Sequence, residues 1–283
     1  MSRAGRVDAH HHVWDPTRRR LPWLDHEGIE ALRRPFGAEE LAPQAAAAGV
    51  SATVVVQTLS DEAETREMLA LAAASPLVAG VVGWVDLTAP DVDEAVARVR
   101  EEPGGECLVA VRHQIHDEPD VEWLGRRDVR RGLRAVAEAG LVYDLLLLPV
   151  HLRPALDAVR ALPEGRFVLD HLAKPPVAAG ELEPWRADLR ALAAEPNVDA
   201  KLSGLVTEAD HAGWTVEDLR PYADEALTAF GPDRVMFGSD WPVCTLAASF
   251  AEWVEAAEAL TAGLSAAERD AVWGGTARRA YAL

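Results

Sequence analysis

Eight short runs rich in Val and Leu recur along this chain, and seven of them stop at a polar residue. They read as strands over 6–12, 52–58, 79–86, 107–113, 141–148, 166–171, 198–203 and 234–240. Their ends fall near 12, 57, 86, 113, 146, 171, 203 and 240, far enough apart for a helix to cross over between parallel strands. Ala-, Glu- and Arg-rich stretches over 61–74, 91–102, 127–139, 185–195 and 248–262 supply such helices. Eight strands alternating with helices predict an α/β fold, a (β/α)8 TIM barrel forming a single domain over 1–283. A doubly wound open sheet would want a Gly-rich phosphate loop after its first strand, and the chain has a His cluster there instead. Ser265-Ala266-Ala267-Glu268 resembles a capping box that opens an extra C-terminal helix.

Charge and composition narrow the partners. Lys plus Arg is 28 against 46 for Asp plus Glu, a net −18, which argues against binding a nucleic-acid backbone. The short run Arg18-Arg19-Arg20 reads as a solvated loop. No apolar stretch approaches the ~20 residues of a membrane helix. Cys107 and Cys244 have no metal-type spacing and suit a reducing, cytoplasmic setting. A small-molecule substrate is expected, and a homo-oligomer is open. The segment 13–37 carries Trp14, Trp23, Pro35 and Phe36 and reads either as a lid over a site or as a packed plug or subunit contact.

Barrel enzymes carry their chemistry at the C-terminal ends of the strands. Here those ends supply His10, His12, Gln57, Asp86, Arg112, His113, His171, Lys201, Ser203 and Asp240. Alternation puts His10 and His12 on one face, Asp8 deeper in the same file and His11 on the opposite side. Three imidazoles and a carboxylate suit one divalent ion, zinc before manganese, with an open position for water. The same groups also suit metal-free chemistry, with Asp240 as base and imidazoles on a carbonyl oxygen. Arg112 can meet an oxyanion or pair with Asp117 or Asp120. Gln57, Trp84, His113, Lys174 and Trp241 are candidate substrate contacts, Trp241 lining the mouth. His26, His116 and His211 lie in polar stretches and are expected to be solvated, and Cys244 to be packed.

Read together, Val7-Asp8-Ala9-His10-His11-His12-Val13-Trp14, Gly80 to Leu87, Val111-Arg112-His113, Tyr143 to Leu146, Asp170 to Pro175, Lys201 to Leu205 and Met236 to Val243 resemble the amidohydrolase superfamily. Within it they resemble the sugar-lactone lactonase branch of L-fuconolactonase and L-rhamnonolactonase types. The resemblance spans nearly the whole chain and implies a distorted barrel with His10, His12, His171 and Asp240 around the reaction centre. It also implies Asp240 as general base and one divalent metal or none. No bridging Lys or Glu is identified after strands four or five, so two metals are not expected; His151 is a further candidate ligand. His11, Ala173 and Thr276 depart from the usual pattern and leave the sugar open. The expected reaction is opening of an aldono-lactone to its acid, with His171 and Arg112 on the oxyanion. The rivals are a decarboxylase or amide hydrolase on the same barrel, and a sugar-acid binding protein without turnover.

Overall fold

The computed structural model describes residues 5–283. Its eight strands are β1 (Arg6–His11), β2 (Val50–Val56), β3 (Val78–Gly83), β4 (Leu108–His113), β5 (Val142–Leu145), β6 (Arg166–Leu169), β7 (Val198–Leu202) and β8 (Val235–Phe237). They form one parallel sheet in sequence order. The last strand is too short to pair with the first along its length, so the seam closes beyond it: Asp240 N donates to His10 O at 2.8 Å, and His12 N to Trp241 O at 2.7 Å. The (β/α)8 barrel expected from the strand runs is present.

Each strand leads to a covering helix: α1 (Ala38–Ala47), α2 (Glu62–Ala74), α3 (Val92–Arg100), α4 (Arg127–Glu138), α5 (Leu152–Arg160), α6 (Trp185–Ala193), α7 (Val216–Phe230) and α8 (Phe250–Leu260). Local chemistry sets several starts. Asp61 caps α2 by accepting from Ala63 N, and Ser249 and Glu252 exchange bonds at the start of α8. The larger apolar core lies between these helices and the strands. Among the described residues no helix is long and apolar enough to cross a membrane.

The tail differs from a single extra helix. Ser265 and Glu268 do form a capping box, but the helix it opens splits into α9 (Ala266–Asp270) and α10 (Thr276–Tyr281) around a π turn at Ala271–Gly275. The break lets α10 close the bottom of the barrel. There Ala277, Ala280 and Tyr281 pack against Val7, Val54, Val142 and Val168 in a smaller inner core. Several strands also end earlier than their apolar runs, because the residues that follow turn into the mouth: β5 stops at Leu145, β6 at Leu169 and β8 at Phe237.

The long first connection is tied at both ends. Trp14 and Phe36 exchange backbone bonds at 3.0 and 2.8 Å, and Trp14 Nε1 donates to Leu32 O. This clasp holds Trp14 and Trp23 over the mouth of the barrel, where both line a cavity of ≈ 160 Å³ together with His12, Arg112, His171 and Asp240.

Candidate active site

His10 on β1 and His12 directly after it project from one face, as alternation demands. Their Nε2 atoms stand 3.1 Å apart, and Asp240 Oδ1 lies 3.4 Å from His12 Nε2 and 3.8 Å from His10 Nε2. Asp240, three residues past the end of β8, adopts a left-handed backbone (φ 56°), and its carboxylate lies across the seam from β1. Asp8 holds that junction from below: its Oδ1 accepts from Ser239 N at 2.7 Å and His10 N at 3.2 Å. A side chain on Gly238 would collide with His10, its Cβ standing 2.8 Å from the His10 Cβ.

His171 comes from a rarer device. Four successive residues after β6, His171 to Lys174, all have positive φ between 50° and 59°. Left-handed backbone is costly for residues with a Cβ and persists where the surroundings over-determine it. The turn is held by Ser203, whose Oγ lies 2.8 Å from His171 Nδ1, and by Gly204, whose missing Cβ leaves room for the ring. His171 Nε2 ends 3.9 Å from Asp240 Oδ1.

Beneath the histidines runs a buried ionic column. Lys201 on β7 reaches Asp144 Oδ2 at 2.6 Å, Asp170 Oδ1 at 2.9 Å and His10 Nδ1 at 3.1 Å, with the Lys and both Asp side chains wholly buried. Asp170 Oδ2 accepts from Arg112 Nη1 at 2.9 Å, and Gln57 Oε1 and the Gln57 carbonyl accept from the same guanidinium. At the lower end Tyr281 OH donates to Asp144 at 2.8 Å. Two cations thus balance two carboxylates inside the barrel, the condition for burying either.

The electrostatics favour neutral His10 and His171 rings beside an ionised Asp240. Burial pulls His171 down to about 4, against the pull of Asp240 and Asp170, and holds His10 well below the usual histidine range, with Lys201 adding to it. Burial pushes the Asp240 carboxyl up, but His171, His12 and Lys174 together bring it below the ordinary carboxylate range. His12 Nδ1 lies 2.7 Å from the Val56 carbonyl, which can only accept, so His12 donates there and turns Nε2 to the centre.

His10, His12 and Asp240 fit a divalent ion. Ligand atoms about 2.0–2.1 Å from a tetrahedral zinc lie about 3.3 Å apart, close to the triangle of 3.1, 3.4 and 3.8 Å found here. A second group, His10, Asp170 and His171, is also close enough in space, but both Asp170 oxygens already face cations.

Several sequence-based expectations need correction. Gln57 is fully buried and spends its side chain on Arg112. His113 leaves the mouth: it stacks on Trp123 at 4.4 Å, accepts from Trp84 Nε1 at 3.0 Å and reaches Glu118 at 2.7 Å, which takes Trp84 away as well. Trp241 is 1% exposed and packs edge-on to Phe36, so it walls the clasp rather than the mouth. Arg112 pairs with Asp170, not Asp117 or Asp120. Asp86 closes its own turn through Thr88, and His151 is bonded to Leu148 N, outside the cluster. His116 is only partly solvated: its side chain is 23% exposed, it lines the cavity, and burial, Lys174 and Arg112 lower it to about 3. Lys174 does line the cavity, 3.5 Å from Glu208. Cys244 is buried packing, and His11 turns outward onto Thr53 Oγ1 at 3.0 Å. The sequence reasoning passed over Asp170, Asp144 and Tyr281. A carboxylate inside an apolar strand run, as in Tyr143-Asp144-Leu145, was the available signal, since it must find a buried cation.

A closed parallel barrel that gathers three imidazoles and an ionised carboxylate at its C-terminal mouth is equipped as a hydrolytic barrel enzyme. The chain belongs to the amidohydrolase family, whose sequence profile matches residues 7–283. It is 43% identical to an L-fucono-1,5-lactonase of Burkholderia multivorans, over 98% of this chain and 96% of that protein. It is 38% identical to an L-fucono-1,5-lactonase of Burkholderia ambifaria, over 88% of this chain and 84% of that one. A crystal structure of an amidohydrolase from Burkholderia multivorans with bound zinc superimposes with a TM-score of 0.92 at 42% identity, covering 99% of this chain and all of that one.

Proposed function

We propose that this protein is a lactonase that opens a sugar lactone, an aldono-lactone of the L-fucono- or L-rhamnono- type, to the corresponding acid. The observation that carries the reading is the meeting of Asp240 with His10, His12 and His171 in a chain so similar to L-fucono-1,5-lactonases.

Asp240, held ionised, takes a proton from a water that attacks the ring carbonyl. The oxyanion that develops is met by His171 and by Arg112, whose Nη1 lies 3.4 Å from His10 Nε2 and is fixed by Asp170 and Gln57. As the ring C–O bond breaks, Asp240 returns the proton to the departing ring oxygen, leaving a hydroxy acid. The sugar hydroxyls face Lys174, Gln114 and Thr58 on the cavity wall, and the ring lies against Trp14 and Trp23. His10, His12 and Asp240 would hold a divalent ion, zinc by their donor set, and such an ion polarises a carbonyl and lowers the pKa of water toward ~7. The reading is supported by the zinc found in the similar Burkholderia multivorans amidohydrolase.

Acid release measured with a pH indicator across a panel of sugar γ- and δ-lactones tests it. Turnover of 6-deoxy-aldono-lactones above the buffer rate is expected. Binding without turnover, or carbon dioxide released from aromatic acids instead, overturns it.

A further inference from the structure

The ammonium of Lys201 can only donate, and it hydrogen-bonds Asp144 Oδ2 at 2.6 Å and His10 Nδ1 at 3.1 Å, while Asp170 Oδ1 stands 2.9 Å away as an ion-pair partner without a hydrogen bond of its own. Because His10 Nδ1 accepts from that ammonium, a neutral His10 carries its proton on Nε2. That proton points at His12 Nε2, 3.1 Å away, which is an acceptor because His12 donates through Nδ1 to Val56 O. Each link of the chain Lys201 → His10 → His12 → Val56 then pairs a donor with an acceptor. Arg112 Nη1 lies 3.4 Å from His10 Nε2 but has its nearer partner in Asp170 Oδ2 at 2.9 Å.

An ion on His10 Nε2 needs a lone pair where this arrangement puts a proton. The His10 proton must then sit on Nδ1, where Asp170 Oδ1 waits at 3.3 Å. That places an N–H of His10 against an N–H of Lys201, so the ammonium loses its bond to His10. Its charge also repels the incoming ion. Both effects have the same sign.

We propose that Lys201 opposes metal binding at the His10–His12–Asp240 centre by donating to His10 Nδ1, and that loading the centre hands His10 Nδ1 from Lys201 to Asp170. Lys201 is then a positioning residue that sets which tautomer His10 presents and how tightly the centre holds an ion. The inference rests on the reading of the triad as an ion site and is independent of which lactone is opened.

The test is the zinc affinity of the purified full-length protein and of Lys201→Met, by competition with a chromophoric chelator. Met keeps the length of the side chain and removes the donor and the charge. Lys201→Met is expected to bind zinc about tenfold more tightly or better, in the range over which groups behind metal ligands act. Equal or weaker binding by a folded variant overturns the proposal, whereas no zinc uptake by either protein overturns the ion site and the proposal with it. Because the variant leaves two buried carboxylates with one cation, a second measurement uses the wild type alone. Histidine two-bond 1H–15N spectra, with His10 assigned by its absence in His10→Asn, report the tautomer. A proton on Nε2 in zinc-free protein that moves to Nδ1 on zinc addition is expected; a proton on Nδ1 in zinc-free protein overturns the proposal.

Discussion

Asp240 Oδ1 stands 3.4 Å from His12 Nε2, a contact between the two edges of the sheet made where the barrel closes. Its partners in closure are backbone: Asp240 donates its own amide to His10 O, so the carboxylate is held by the same bonds that seal the seam. Replacing Asp240 by Asn keeps those bonds and removes the base. Lactone hydrolysis is expected to fall by about 10²–10⁴-fold, the usual contribution of a general base, with Tm little changed. A variant that retains wild-type rates would end the proposed mechanism.

Gly204 lies at φ +69° under the His171 ring, and a Cβ there would stand 2.7 Å from His171 Nδ1. Gly204→Ala must therefore displace the ring or the backbone. Left-handed backbone alone costs about 1–2 kcal/mol for a residue with a Cβ. A misplaced His171 is expected to lower kcat by about tenfold or more, since small displacements at a reacting centre are costly. Thermal unfolding and kcat measured together check both effects.

The pH–rate profile follows from His171. Its folded value of about 4 lies below the ordinary histidine value of 6.5, so the imidazole is neutral over most of the working range and gains a proton only as the pH falls through about 4. The acid limb of kcat/KM is expected near 4. A limb near 6.5 would mean that the ring behaves as a solvated histidine.

His113 offers the converse test. It is bonded to Trp84 and Glu118, stacked on Trp123 and turned from the centre. His113→Ala is expected to leave kcat/KM within about threefold, less than ~1 kcal/mol of transition-state stabilisation. Stability should drop by about 1–3 kcal/mol, as for the loss of a bonded, packed side chain. A collapse of activity without loss of stability would restore His113 to the site.

Asp8 gives a stability signature. Burial pushes its carboxyl up to about 6 despite bonds from Ser239 and His10, and its Oδ2 has no partner. The folded value lies above the unfolded 3.8, so the native state binds this proton more tightly. The Asp8 contribution to stability is then full below about 4 and lost as the pH rises through about 6. In Asp8→Asn the amide oxygen can still accept from Ser239 N and the charge is gone. Stability relative to wild type should rise between about pH 4 and 6, by at most roughly 3 kcal/mol. A flat difference in denaturant titrations across that window would show that Asp8 is not desolvated.

Much of the site could be read along the chain because strand chemistry is periodic. His10 and His12 share a face by alternation, and a polar residue at a strand end lies at one end of the barrel whatever its neighbours are. What position cannot tell is which way a strand-end side chain turns. Gln57, Arg112 and His113 all sit at such ends; only Arg112 lines the cavity, because Gln57 and Asp170 brace it there while Trp123 and Glu118 draw His113 aside. His116 lies in a run of polar letters and reads as solvated, yet the loop folds it over the mouth beside Lys174.

The chain by itself determined the barrel, the pairing of His10 with His12 and the supply of a carboxylate after the last strand, since these depend on local periodicity and on the order of elements. Only the tertiary structure decided the left-handed turn that delivers His171, the clasp that brings Trp14 to the mouth, and the column from Tyr281 through Asp144 and Lys201 to His10. Those depend on charges and rings far apart in the chain finding one another in a dry interior. There an unpaired group is penalised heavily, and the partner is whichever residue the closed barrel brings within reach.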